Sequence, residues 1–414
     1  SMEVFRGIKN LATNFVLSCA LLVTIGCSGE RPYQTASGHV AVKIPVVKKG
    51  VFTLDIVDLF GITNLYEFEG DFARFFFSPR VENGQLAGTK AKARFLEVRG
   101  TFIPADQSSA EMASIYYHLQ NLAKLDEAVG AGNVNTWPRS VAIQALVEDA
   151  GGKLRENNAM YDGITDSMAF VPYKSNDIPL SVNPGVIAHE HFHSLFYKLV
   201  TVPLIAEGVI PGQSDISLHA IESNKFANSG KSAEQKIIRP SGDYQTDLRE
   251  IYNWFVLKSL NEGLADVWGW SYTAQPDFIA YSIPSQKPIR SLKASDIPDF
   301  TPTIQTAEAV KLFQVEQNLS TSNGRINMKK SRENLVNCCA YELGSSYARF
   351  FKAYADLKLN PESEDEFSAQ AVNSRQEILK IIVRLLPLIK NEMLNNGKEK
   401  DLNTLSILEL VSKA

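Results

Sequence analysis

From residue 39 onward the apolar positions fall into short runs: "HVAVKIPVV", "VFTLDIVDL", "ARFFFSP" and "ARFLEVRGTF". These runs are rich in β-branched and aromatic residues and are broken by Gly, Asn and Pro, which predicts strands. The period changes at 108–130, where Met112, Ile115, Tyr116, Leu119, Leu122 and Leu125 recur at three- and four-residue steps and Gly130 follows. That is one apolar face of a helix and its terminator. "SVAIQALVED", "NNAMYDG" and "SMAFVPY" then predict further strands, read as members of one sheet. "NPG" at 183–185 opens a helix through "VIAHEHFHSLFYKLV", 186–200. The polar stretch 203–246 reads as an insertion, and "DLREIYNWFVLKSLNEGLADVWGW" predicts a second strong helix over 247–270. Helical patterns continue at 332–357 and 374–395. Strands first and helices later is an α+β order, and no internal repeat interrupts it.

Composition adds bounds. The chain has 414 residues, 44% hydrophobic and 21% charged, with a net charge of −4. It is long enough for two or three packed units, and it carries no basic stripe, which excludes nucleic acid as the expected partner. Near the start, Arg6 and Lys9 precede the apolar run "LATNFVLSCALLVTIGC", the layout of a secretion signal. "TIGC" resembles a bacterial lipoprotein processing box, which implies export to the cell envelope and a lipid anchor on Cys27. Residues 28–38 read as a tether. Cys338 and Cys339 are adjacent, a spacing that rarely bridges, and are expected to be two small buried helix residues.

The chemistry concentrates in "HEHFH". Residues four apart share a helix face, so His189 and His193 can offer two imidazoles to one divalent metal ion. Glu190 sits beside them, placed as a general base in the H-E-x-x-H pattern. A catalytic zinc site needs a third protein ligand and one open position. "NEGLAD" offers Glu262 as that ligand, with Asp266 one turn on to hold the far nitrogen of a ligating histidine. His191 points off that face and is expected to be solvated or at the core edge. His39, His118 and His219 are isolated in sequence and carry no expected role.

HExxH followed by Glu-x-x-x-Asp resembles the gluzincin metallopeptidases, and "NEGLADVWG" is similar to the corresponding helix of their thermolysin-like group. "NNAMYDGITDSMAFVPY…DIPLSVNPGVIAHEHFH" resembles that group's edge strand, hairpin and zinc helix in order, so the likeness spans roughly 105–350. It implies a two-lobed unit: a mixed sheet carrying the zinc helix, a mainly helical C-terminal lobe, and a cleft between them. It implies zinc on His189, His193 and Glu262, with Glu190 as base. It further implies peptide-binding roles for Asn158 and Ala159 on the edge strand and for Arg290 in "PIRSL". Two departures stand out. The gap from His193 to Glu262 is long, and no histidine follows His219 to serve the oxyanion. Tyr341 and Tyr347 in "AYELGSSYARFF" are the alternatives, with Tyr341 favoured by its spacing to Gly344.

The expected organisation is a signal and anchor at 1–27, a tether at 28–38 and a β-rich domain at 39–104. A catalytic α/β lobe at 105–202, an insertion at 203–246 and a helical lobe at 247–414 complete it. The expected activity is zinc-dependent peptide hydrolysis of a peptide or protein substrate; the competing reading is a silent peptidase scaffold used for binding. Calcium, oligomeric state and side-chain preference are not legible, and no EF-hand-like loop is present.

Overall fold

The computed structural model describes residues 38–414 except 49, 83–84, 149–152, 211–224, 227–242, 294–311, 323 and 360–367. The signal, Cys27 and the tether up to residue 37 therefore lie outside the described residues, as do His219 and most of the expected insertion.

The chain is mixed α+β, with sheets in its N-terminal part and helices in its C-terminal part. Strands β1 (His39–Lys48) and β2 (Val51–Phe60) form a long antiparallel hairpin. Two short strands follow, β3 (Ile62–Asn64) and β4 (Glu69–Gly70). Next come β5 (Ala73–Glu82), β6 (Gln85–Lys90), β7 (Phe95–Val98) and β8 (Thr101–Pro104). One sheet runs in the order β2-β1-β8-β7. Strand alternation turns Val40, Val42, Ile44 and Val46 of β1 inward, against helix α1 (Gln107–Val129). The Asp106 side chain caps the start of α1 and Gly130, at φ 87°, ends it.

Beyond α1 come β9 (Arg139–Ile143), β10 (Val147–Glu148), β11 (Ala159–Asp162) and β12 (Ser167–Phe170). A second, mixed sheet has the order β11-β12-β9-β5-β6. The expected common sheet thus holds β9, β11 and β12, and it draws β5 and β6 from before residue 105. β10 pairs instead with the short strand β13 (Lys225–Phe226), within the expected insertion. Phe75 and Phe76 of "ARFFFSP" are buried, as core packing of a strand requires.

Helix α2 (Pro184–Phe196) starts at Asn183, whose side chain accepts from the Gly185 and Val186 N–H groups, with Pro184 in the first turn. It runs on through a π turn at Tyr197–Thr201 into α3 (Val202–Ala206). Pro203 lacks an N–H and its ring crowds the preceding turn, so a widened turn just upstream relieves the helix. Helix α4 (Tyr244–Thr273) is the centre of the C-terminal part: every residue from Ile251 to Ser271 is buried. Against it pack α6 (Met328–Leu335), α7 (Tyr341–Leu359) and α8 (Ala369–Asn396), while α5 (Lys287–Arg290) packs on α7 and α9 (Thr404–Lys413) on α8.

A second π turn, Val336–Ala340, joins α6 to α7. It corrects the expectation for the cysteines. Cys338 and Cys339 are joined by a disulfide within this turn, and only Cys339 is buried. The widened turn turns one cysteine inward and leaves the other at the surface.

Candidate functional site

Helices α2 and α4 pack against each other, and their polar residues meet in that interface. Both are buried nearly throughout, so each polar side chain between them must find a partner. His189 and His193 stand one turn apart on α2, with their Nε2 atoms 3.1 Å apart. Glu262 on α4 brings Oε2 to 3.5 Å from His189 Nε2 and 3.9 Å from His193 Nε2. A zinc ion with bonds of about 2.0–2.2 Å in a tetrahedron has donor–donor edges of about 3.3–3.6 Å. The three observed separations bracket that edge, and two imidazoles with one carboxylate are a known donor set for catalytic zinc. The residues present therefore fit the ion. Glu190 lies beside them, with one oxygen within 4.8 Å of the histidine donor atoms.

The outward nitrogens are held as well. His189 Nδ1 meets Asp266 Oδ1 at 2.9 Å, and His193 Nδ1 meets the Asn261 side-chain oxygen at 3.0 Å. Each bond favours N–H on Nδ1 and leaves the Nε2 lone pair facing the shared point. Asp266 was expected here; Asn261 was not, although it stands immediately before Glu262 in "NEGLAD". Lys258, one turn before Glu262, was also missed. Its Nζ donates to Glu262 Oε1 at 2.7 Å.

Arg290 arrives from α5 and binds Asp266 through two bonds, Nε to Oδ2 at 3.1 Å and Nη2 to Oδ1 at 2.6 Å. Burial disfavours the Asp266 charge, but Arg290 and His189 outweigh it and hold the carboxyl below its usual range. Burial likewise opposes the His189 imidazolium, yet Asp266 and Glu262 overcome this and, with no metal, hold its pKa up to about 9. The Arg290 guanidinium also lies over the Tyr341 ring, 4.9 Å from its centre. Burial first, then the Glu262 charge, push the Tyr341 phenol up, so it stays protonated and able to donate at neutral pH.

Tyr341 reaches this position because α7 lies very close to α4. Gly263 and Gly344 face each other at the crossing, and a methyl on Gly263 would run into the Gly344 carbonyl oxygen. Both alternatives sit on α7, and of the two it is Tyr341 that lines the cleft, while Tyr347 is buried and is not among the lining residues.

These groups line a cleft of about 190 Å³ bordered by Asn158, Ala159, His189, Glu190, Arg290 and Tyr341. Leu180, Val186, Ile279 and Ile283 give it an apolar wall. β11 is the outer strand of its sheet. The Asn158 carbonyl accepts from Val171 N on the β12 side, at 3.2 Å. The peptide plane is rigid and trans, so the Ala159 N–H turns to the open side, where Asn158 Oδ1 accepts from it at 3.0 Å.

His191 corrects an expectation. It is fully buried, with Nε2 at 2.9 Å from Asp126 Oδ2 and its ring stacked on Trp137. The far face of α2 is core rather than surface, so this histidine belongs to a buried polar network. Asn135 continues that network, accepting from Arg139 and Ser194. His39 pairs with Asp58 and His118 with Tyr272, both away from the cleft.

No model of a known protein family matches the chain, and no curated protein matches it.

Proposed function

We propose that this chain is a zinc-dependent endopeptidase of gluzincin type, with a thermolysin-like cleft between a sheet-bearing lobe and a helical lobe. One observation carries the reading: His189, His193 and Glu262 bring three donor atoms to one point, separated by 3.1, 3.5 and 3.9 Å, and His189 and Glu190 border the adjoining cleft. A purely structural metal site is closed by four protein ligands; three ligands with a carboxylate alongside suit hydrolysis.

Zinc held by the three residues would lower the pKa of a water in its fourth position and polarise a carbonyl. The chain's own groups supply the rest. An extended peptide laid along β11 would hydrogen-bond to the backbone of Ala159 and the amide of Asn158, as in strand addition. Glu190 takes a proton from the attacking water as the new C–O bond forms, and returns it to the amine nitrogen as the C–N bond breaks. The Tyr341 phenol donates to the carbonyl oxygen as negative charge develops there. Arg290 is held by Asp266 and presents a fixed positive charge at the same wall. No side chain is acylated, so no covalent intermediate forms. We propose further that the protein is exported and lipid-anchored through Cys27, consistent with its N-terminal sequence.

The test is digestion of a diverse peptide mixture, read by mass spectrometry, beside Glu190→Gln. Cleavage by the wild type alone, abolished by a chelator, is expected. A chain that carries one zinc and cleaves nothing would sink the peptidase reading and favour the silent scaffold.

A further inference from the structure

Lys258 sits in the middle of α4 with its side chain fully buried. Burying an ammonium group costs several kcal/mol, and its Nζ meets the anion one turn away, Glu262, at Oε1. The two oxygens of Glu262 thereby face different ways. Oε1 is held by Lys258, and Oε2 is the atom near His189 and His193.

The same arrangement recurs at all three proposed ligands. His189 has its outer nitrogen held by Asp266, His193 by Asn261, and Glu262 its outer oxygen by Lys258. All three holders lie on α4, and Lys258, Glu262 and Asp266 fall at i, i+4 and i+8 along one face of it. The two histidines need holders to fix a tautomer. A carboxylate has no tautomer to fix, but it has a choice of binding an ion through one oxygen or both.

We propose that Lys258 is a positioning residue that restricts Glu262 to one ligating oxygen and so keeps a coordination position open for water and substrate. This rests on the metal reading above. With Oε1 bound to a buried ammonium, a second metal–oxygen bond would make that oxygen serve two cations at once, weakening a charge-assisted hydrogen bond and holding the ammonium against a divalent cation in a buried site. Without Lys258, Oε1 loses that ammonium, and a second metal–oxygen bond there would fill the position where the reaction needs a vacancy.

The test replaces the native ion by cobalt(II), whose visible bands are intense when four-coordinate and several-fold weaker at higher coordination. The full chain is titrated first. One bound cobalt with intense bands is expected, and Lys258→Met is expected to bind one cobalt with several-fold weaker bands while keeping the wild-type circular dichroism. Lys258→Arg, which restores a cationic donor, should recover part of the intensity. Identical spectra for wild type and Lys258→Met would overturn the proposal and leave Lys258 as a charge balance only. Weak bands in the wild type would overturn it without any variant, so it stays testable if Lys258→Met does not fold. A wild type that binds no cobalt would instead overturn the metal reading, and this inference with it.

Discussion

His189 Nδ1 and Asp266 Oδ1 meet at 2.9 Å across the interface of α2 and α4, and the same Asp266 oxygen accepts from Arg290 at 2.6 Å. One buried carboxylate thus orients a proposed ligand on one helix and anchors a cation from the end of the cleft. Asp266→Asn keeps the size but removes the charge that both partners need. Loss of a partner that orients a metal-binding histidine costs about 10–100-fold in metal affinity. Arg290 would keep the more distant Glu262 carboxylate, 3.9 Å from its Nη2, as counter-charge but lose its two bonds to Asp266, so the fold should also be destabilised, by about 1.5–3 kcal/mol. Competition with a chelating dye and urea denaturation measure the two effects. A variant with wild-type metal affinity would show that Asp266 serves Arg290 alone.

Tyr341, proposed above to donate to the developing oxyanion, has its phenol kept protonated and its ring against Arg290. Tyr341→Phe removes one hydrogen-bond donor and leaves the ring contact. Loss of a donor that acts only in the transition state lowers kcat by about 10²–10³ with little change in KM. Steady-state kinetics on a fluorogenic peptide would separate the two constants. A raised KM at unchanged kcat would assign Tyr341 to substrate binding instead.

How much of this was legible from sequence depends on the range of the interaction. The i, i+4 pairs in "HEHFH" and "NEGLAD" are local, so helix geometry alone put His189 with His193 and Glu262 with Asp266. The convergence of the two helices was suggested only by their chemistry. Lys258 carried a readable signal that went unused, a lysine within "WFVLKSLNEGL" one turn before a buried acid. His191 was misread because the far face of α2 is closed by α1, whose Asp126 is 65 residues away in sequence. The Cys338–Cys339 bond was misread because the π turn that holds it has no propensity signature. β5 and β6 joined a sheet whose other strands come much later in the chain, a pairing that strand patterns do not specify.

The α4–α7 crossing depends on Gly263 facing Gly344. Gly263→Ala should raise intrinsic helix propensity by about 1 kcal/mol, but its methyl meets backbone that has no rotamer through which to yield. Overpacking of this kind costs about 1–3 kcal/mol, so a net lower Tm is expected. Activity should fall further than stability, because a displaced α7 carries Tyr341 away from the cleft. Calorimetry and peptide kinetics on one preparation check both. An alanine variant as stable and active as the wild type would mean that the helices part freely.

His118 gives the fold a sensitivity to acid that is independent of any metal. It is buried between α1 and the end of α4, where its Nδ1 lies 2.8 Å from the Tyr272 hydroxyl. Burial lowers its pKa from 6.5 to about 3, so the folded state holds the ring neutral where the unfolded chain protonates it. A depressed pKa contributes stability that is fully present above about pH 6.5 and is lost as pH falls toward 3. At pH 4.5 the loss from this one group is about 3 kcal/mol. His118→Asn places an amide where Nδ1 stood and removes the titration. Its unfolding free energy, measured by urea denaturation between pH 7 and pH 4.5, should therefore fall less steeply than that of the wild type. At neutral pH the variant is expected to be the less stable of the two, because the smaller side chain leaves space beside Tyr272. The two curves should then converge as the pH drops. Parallel curves would mean that the ring is protonated in the native state too, and that the Tyr272 contact gives way to admit the charge.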